Sequence, residues 1–155
     1  MLGGDSLAGG EGNDIYYGGF GNDTLSEYSR SYGLDTLDGG TGDDFLYGAG
    51  GNDVYLFNKG YGLDTISDFV TIPQYARPAR VGSGGEADTI IFGDDITRSN
   101  LTWDFNGVNL TFTLTDSPGD SLTVINYVNA FYRIENIGVE GNSLTKELRK
   151  NNLQI

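Results

Sequence analysis

Seven times in the first 66 residues the chain writes Gly-x-Asp followed, two residues later, by Leu, Tyr or Ile. The instances are Gly3/Asp5/Leu7, Gly12/Asp14/Tyr16, Gly21/Asp23/Leu25, Gly33/Asp35/Leu37, Gly42/Asp44/Leu46, Gly51/Asp53/Tyr55 and Gly62/Asp64/Ile66. Successive aspartates lie 9, 9, 12, 9, 9 and 11 residues apart. Nine is not a helical or heptad period, nor the three of collagen. It is the period of a solenoid, and it sets one carboxylate per unit beside glycine backbone, an array suited to hard cations.

Aligned on the aspartates, the units are nonapeptides: Gly9–Tyr17 (GGEGNDIYY), Gly18–Ser26 (GGFGNDTLS), Gly39–Tyr47 (GGTGDDFLY) and Gly48–Leu56 (GAGGNDVYL). Two degenerate copies, Arg30–Asp38 and Lys59–Ser67, follow short inserts, and Ser83–Ile91 is a candidate further unit in which Glu86 replaces the fourth-position glycine. The first six positions are turn formers, because Gly, Asn and Asp tolerate positive φ. The last three form a β-prone triplet with one inward side chain. Turn, strand, turn, strand makes a flattened coil of two units, so unit n stacks on unit n+2. The inward residues are then Leu7, Tyr16, Leu25, Leu37, Leu46, Tyr55, Ile66 and Ile90. One apolar side chain per nine ordered residues is too little burial to offset the chain entropy, so the coil needs an ion.

Charge sharpens this requirement. Residues 1–68 carry 12 acidic and 2 basic side chains (net −10), and residues 69–155 carry 10 and 7 (net −3), for a formal charge of −13. Nucleic-acid binding needs the opposite sign. With no cysteine and no histidine, disulfides, thiolate zinc sites and histidine-based catalysis are excluded. No apolar run is long enough to span a membrane, and the N-terminus lacks the charged-then-apolar pattern of a signal peptide. Met1 falls inside a repeat, with Gly3 as its fourth position, so the chain reads as a piece of something longer.

The 155 residues divide into a repeat region (1–69), an irregular stretch (70–87) and a C-terminal region (88–155) continuous with the repeats. Two prolines and no apolar alternation make 70–82 a loop. Further on, Leu101/Trp103/Phe105 and Val108/Leu110/Phe112/Leu114 alternate around Asn106-Gly107, a dipeptide that favours a two-residue type I′ turn. That turn sets Phe105 opposite Val108, Trp103 opposite Leu110 and Leu101 opposite Phe112, all on one face. A second turn at Asp116–Asp120 leads to Leu122/Val124, with Ile134/Ile137 beyond. The expected result is a compact antiparallel sheet that caps the solenoid's open end, with a short helix over Ser143–Asn151.

Calcium takes six to eight oxygens in flexible geometry, whereas magnesium demands a tight octahedron. Two stacked turns offer two carboxylates and several carbonyls, which favours calcium. The stacking predicts the pairs Asp5/Asp23, Asp14/Asp35, Asp23/Asp44, Asp35/Asp53 and Asp44/Asp64, with Asp53/Asp88 a weaker candidate. The turn glycines Gly10, Gly12, Gly19, Gly21, Gly33, Gly40, Gly42, Gly51 and Gly62 complete the candidate ligand set, for about four to six ions.

These nonapeptides resemble the GGxGxDxUx repeats of the repeats-in-toxin (RTX) family. The stretches YLFNKGYGLDTISDF, ADTIIFGDDI, GDSLTVINY and RIENI more loosely resemble the haemolysin-type calcium-binding-related region that follows such repeats in secreted toxins such as the adenylate cyclase toxin, and in large secreted enzymes and adhesins. The resemblance implies an all-β fold: a parallel β-roll, a right-handed β-solenoid of nonapeptides, capped by an antiparallel β C-terminal segment. It also implies type I secretion, with transient engagement of that apparatus and folding on reaching extracellular calcium, and a monomer. Arg30 and Lys59 replace the first glycine of their units and Glu86 a loop glycine, so calcium sites at those turns are expected to be weakened.

The enzyme reading finds no Gly-x-Ser-x-Gly elbow and no P-loop. The adjacent acids Asp43-Asp44 and Asp94-Asp95 sit in turns and read as solvated groups or metal ligands rather than a glycosidase pair. Catalysis by a parent protein would reside upstream. A second reading, a carbohydrate- or host-surface-binding module, rests on ten tyrosines and one tryptophan. Trp103, Phe105 and Phe112 read as hairpin core, leaving Tyr17, Tyr28, Tyr32 and Tyr47 as the outward tyrosines.

Overall fold

A unit that spends six residues on turns and three on an extended triplet must find partners for the triplet's backbone outside itself. The same triplet one coil away supplies them. The structure, a computed structural model, describes residues 3–27, 32–68, 87–127, 134–145 and 148. Its strands in chain order are β1 (Ser6–Ala8), β2 (Ile15–Phe20), β3 (Thr24–Ser26), β4 (Tyr32–Gly33), β5 (Thr36–Thr41), β6 (Phe45–Tyr47), β7 (Gly50–Gly51), β8 (Val54–Phe57), β9 (Leu63–Ile66), β10 (Thr89–Phe92), β11 (Leu101–Phe105), β12 (Leu110–Leu114), β13 (Ser121–Val124), β14 (Asn136–Val139) and β15 (Asn142–Ser143).

Alternate units feed alternate sheets. One sheet runs β1-β3-β6-β9-β13-β12-β11 and the other β15-β14-β10-β8-β5-β2, with β4 and β7 paired separately in the turns. Every pairing between repeat strands is parallel. The chain is therefore an all-β, parallel β-roll in which unit n lies on unit n+2.

In-register stacking turns the single inward residue of each unit into a column. Leu7, Leu25, Leu46, Ile66 and Val124 align along one sheet. Tyr16, Leu37, Tyr55, Ile90 and Ile137 align along the other. All of these are buried except Leu7, which is half-buried at the N-terminal end of the stack. The roll's core is thus two facing columns, one side chain wide.

The C-terminal strands join these sheets rather than building a separate one. β13 pairs antiparallel with β12 but parallel with β9, so Val124 extends the column above Ile66. β10 lies parallel between β8 and β14. A chain of edge-to-face rings, Phe57–Phe92 (6.1 Å) and Phe92–Phe112 (5.3 Å), carries the roll's core into the hairpin. Residues 70–82, read as a loop from sequence, lie outside the described residues, as do most of those proposed for a helix over Ser143–Asn151. Within that span, the Leu148 amide donates to the Leu144 carbonyl (3.2 Å), a helical bond.

The hairpin register differs from the expected one. Phe105 faces Leu110, Trp103 faces Phe112 and Leu101 faces Leu114, so residues 106–109 form a four-residue loop instead of a two-residue turn. The Asn106 side chain decides this. Its Oδ1 accepts the amides of Val108 (3.0 Å) and Asn109 (2.8 Å), an Asx-type closure that competes with the type I′ turn. Val108, expected opposite Phe105, is exposed at 47%. The shift is two residues, so the apolar face is preserved.

Close stacking makes glycine obligatory at the fourth position of a unit. Gly42 has φ +143°, and a Cβ there would strike the Gly21 carbonyl oxygen of the coil below. Gly42→Ala is expected to lower stability by about 2 kcal/mol or more. Gly119→Ala, where a Cβ meets open space and φ is not positive, is expected to leave the calcium-saturated melting temperature unchanged.

Candidate metal centre

Each aspartate sits at the end of its turn, immediately before the inward triplet, so stacking the triplets also stacks the carboxylates. Two columns result. The first contains Asp5, Asp23, Asp44 and Asp64; the second contains Asp14, Asp35, Asp53 and Asp88. Within each, the amide of one aspartate donates to Oδ1 of the next. The distances are 2.7 Å for Asp5 to Asp23, 2.7 Å for Asp23 to Asp44 and 3.0 Å for Asp44 to Asp64. In the second column they are 2.8 Å for Asp14 to Asp35, 3.0 Å for Asp35 to Asp53 and 2.7 Å for Asp53 to Asp88. The Asp53/Asp88 pair is as well formed as the others, even though residues 69–86 separate β9 from β10.

A second ladder runs alongside with the opposite sense. The residue before each aspartate accepts the amide of its counterpart in the next coil: Asn13 from Leu34, Asn22 from Asp43, Asp43 from Leu63 and Asn52 from Ala87. The two ladders hold the turn backbone from both sides, and the first fixes the rotation of the carboxylates that accept in it.

Oδ1 is held in each column from its second member on, at Asp23, Asp44 and Asp64 and at Asp35, Asp53 and Asp88, and Oδ2 is left. In Asp5, Asp23, Asp35, Asp44, Asp53 and Asp64 this oxygen is buried without a hydrogen-bond donor. Asp35 and Asp53 are wholly buried, and Asp23, Asp44, Asp64 and Asp88 are each 2% exposed. Among the described residues no Lys or Arg is paired with a column aspartate; the Lys59–Asp116 salt bridge (2.8 Å) lies at the surface. A buried anionic oxygen without a donor or counter-ion is costly. Accordingly, burial pushes the carboxyls of Asp53 and Asp64 up to about 8, and those of Asp35 and Asp44 upward, against the lowering effect of the amide bonds.

The donor set fits a hard cation: carboxylate and carbonyl oxygens on closely spaced turns, with no imidazole or thiolate in the chain. The sequence-predicted glycines lie in these turns. Gly3, Gly21, Gly42 and Gly62 stack carbonyl under Cα in the first column, as do Gly12, Gly33 and Gly51 in the second. Gly19 and Gly40 stack at the second position of their units, while Gly10 has open space above its Cα. At that second position Ala49 stands where other units have glycine, and it adopts φ +66°.

The imperfect units fare differently. Lys59 turns outward to Asp116, and Asp44/Asp64 still pair in its unit; Arg30 and Glu86 lie outside the described residues. Three carboxylates near the second column were not anticipated. Glu135 Oε2 accepts the Asp88 amide (3.1 Å), continuing the ladder one step. Asp68 groups with Asp53 and Asp88, and Glu27 with Asp14 and Asp35. None stands in a Gly-x-Asp motif, so only strand register reveals them. Of the tyrosines read as outward, Tyr17 is exposed and Tyr47 half-buried, and the side chains of Tyr28 and Tyr32 lie outside the description. Trp103 is half-buried with the Arg98 guanidinium 4.4 Å from its ring centre.

The profile of the RTX calcium-binding nonapeptide repeat, in four copies, matches residues 1–25 and 31–66, the segment that builds both aspartate columns up to Asp64. These residues match the RTX repeat. Repeats of that family bind calcium and are a binding and structural element rather than a catalytic one. Among solved structures, the extracellular lipase LipA of Serratia marcescens aligns at 22% identity and a TM-score of 0.45. The alignment covers 78% of this chain, which spans only 18% of that protein. No curated protein matches the chain.

The raised carboxyls give the RTX region a testable pH dependence. In chelator, Asp53 and Asp64 bind protons more tightly folded (about 8) than at the ordinary 3.8. Their contribution is therefore full below pH ~4 and is lost as pH rises through ~8. In chelator the folded fraction, read by circular dichroism, is expected to be greatest near pH 5 and to vanish toward pH 9. In saturating calcium, which requires the ionised carboxylates, the folded fraction should show no such fall, and calcium binding near pH 7 should release protons.

Proposed function

We propose that this chain is the calcium-binding RTX module of a type I-secreted bacterial protein, and that calcium met outside the cell drives it from a disordered chain to the β-roll. In this reading the low-calcium cytosol keeps the chain unfolded for passage through the secretion apparatus, and folding outside stabilises the parent toxin, adhesin or enzyme and assists its export. Catalysis belongs to another domain of that parent. The roll (1–69) and the C-terminal region (88–155) act as one monomeric unit across the 70–87 stretch.

One observation carries this reading. Six in-register aspartate pairs each fix one carboxylate oxygen on a backbone amide, and six buried Oδ2 atoms lack any donor. In this reading each pair, with the carbonyls of its turns, holds a calcium ion, and about four to six are bound. Each ion adds RT ln(1+[Ca²⁺]/Kd), about 2.7 kcal/mol at a hundredfold excess over Kd, so several together make folding a steep function of calcium.

Far-UV circular dichroism and calorimetry test this directly. The expected result near pH 8, where the column carboxylates are ionised, is a disordered spectrum in chelator, a β spectrum in millimolar calcium and no equivalent transition with magnesium. Asp44→Asn, which touches two pairs, should lower the stoichiometry and move the folding midpoint to higher calcium. A well-ordered β spectrum in chelator that calcium leaves unchanged would count against the proposal. The exposed Tyr17 and Phe20 on β2 support a second reading, a carbohydrate- or host-surface-binding module; titration with polysaccharides in calcium separates the two.

A further inference from the structure

The second aspartate column is not uniform. Sheet register places Glu27, Gly48 and Asp68 at one level of successive coils, each four residues after a first-column aspartate. At the middle level the position is glycine, and nothing is added to the Asp35/Asp53 pair. At the last level Asp68 brings a third carboxylate to Asp53 and Asp88, with one oxygen of each within 4.8 Å of the others. All three are buried: Asp53 at 0%, Asp68 at 4% and Asp88 at 2% exposure.

Two features point to a ligand here beyond the crowding of acids. Asp53 Oδ2, on a wholly buried residue, has no donor. A Cβ on Gly48 would meet both this oxygen and Tyr55 Oη, so the two line one space. The second feature is Tyr55 itself. Its hydroxyl accepts the Gly48 amide (3.1 Å) and donates to Asp68 Oδ1 (2.8 Å), which orients the Asp68 carboxylate. The arrangement recurs in the first coil. There Tyr16 is the inward residue, its hydroxyl is buried without a partner, and a Cβ on Gly9 would meet both that hydroxyl and Glu27 Oε1. Tyrosine therefore stands at the inward position at the two levels where an acid replaces the glycine.

We propose that Asp53, Asp68 and Asp88 form a three-carboxylate site for a divalent cation, with Asp68 an additional ligand from outside the repeat motif. The site binds calcium more tightly than the two-carboxylate levels, and it fills ahead of the Asp14/Glu27/Asp35 level because Tyr55 orients Asp68 and all three acids are buried, whereas the Tyr16 hydroxyl is unpartnered and Asp14 is half-buried. Affinity at oxygen sites rises with the number of charged ligands and with rigidity, and this level has both. Its position gives it a further role. Asp53 precedes β8, Asp68 follows β9 of the opposite sheet, and Asp88 precedes β10 beyond residues 69–86. One ion there ties both sheets of the roll to the C-terminal strands. This inference rests on the calcium-binding reading above.

Calorimetric calcium titration of the full chain tests it, using wild type, Asp68→Asn, Tyr55→Phe and, as a control on the exposed side of the hairpin, Asp104→Asn. Asp68→Asn should abolish the tightest phase, weakening the first calcium about tenfold or more, while the weaker sites remain. Tyr55→Phe keeps all three carboxylates but frees Asp68 to rotate, and should weaken the same phase by about threefold. The control should superimpose on wild type. If wild type binds calcium with a tight phase that Asp68→Asn and Tyr55→Phe both leave unchanged, the three-carboxylate site is wrong and the RTX reading stands. If wild type binds no calcium, the RTX reading itself fails.

Discussion

Each coil donates a backbone amide to the aspartate of the coil above, and this bond organises the rest of the molecule. It joins consecutive coils at the one point where they would otherwise repel, because the carboxylate accepts from the chain below. It also uses only one of the two carboxylate oxygens. The same geometry that stacks the turns therefore strands Oδ2 in a buried position, at Asp23, Asp35, Asp44, Asp53 and Asp64. A neutral side chain such as Asn could accept the amide equally well. Aspartate adds an anionic oxygen that the fold itself leaves without a partner.

The core has the same character. Two columns of single side chains, Leu25-Leu46-Ile66 on one sheet and Leu37-Tyr55-Ile90 on the other, run the length of a thin roll. Such a core sets register well, because every coil repeats it, but supplies little burial per residue. The C-terminal strands differ: Phe57, Phe92 and Phe112 pack edge to face, and Leu101, Leu110 and Leu122 are all buried around them. Apolar packing is concentrated at one end and aspartate along the rest. Apolar packing accordingly contributes least toward the N-terminal coils and most where β13 and β14 extend the sheets.

Much of this was legible from the chain because a solenoid is local. A unit's neighbours in space are the units two places away, so the aspartate pairs and inward residues follow from counting. Counting failed where the determining contact was a side chain or a distant segment. At the hairpin, Asn106-Gly107 suggested a two-residue turn, but the Asn106 side chain closes a four-residue loop instead. Glu135 and Asp68 carry no motif, and they reach the second column only because β14 pairs with β10 and β9 stacks on β6.

The sequence by itself determined the repeat, its period, the two-unit coil and the oxygen-only chemistry, since these depend on spacing and on which residue types are present and absent. Tertiary structure decided the rest. It merged the C-terminal strands into the roll's own sheets, because Val124 and Ile137 continue columns already begun by the repeats. It also made the carboxylates unequal: strand register across the break puts Asp68 beside Asp53 and Asp88, while the equivalent position one coil earlier is Gly48. Spacing along the chain is a one-dimensional property, whereas the number of charges around a point depends on which segments meet there.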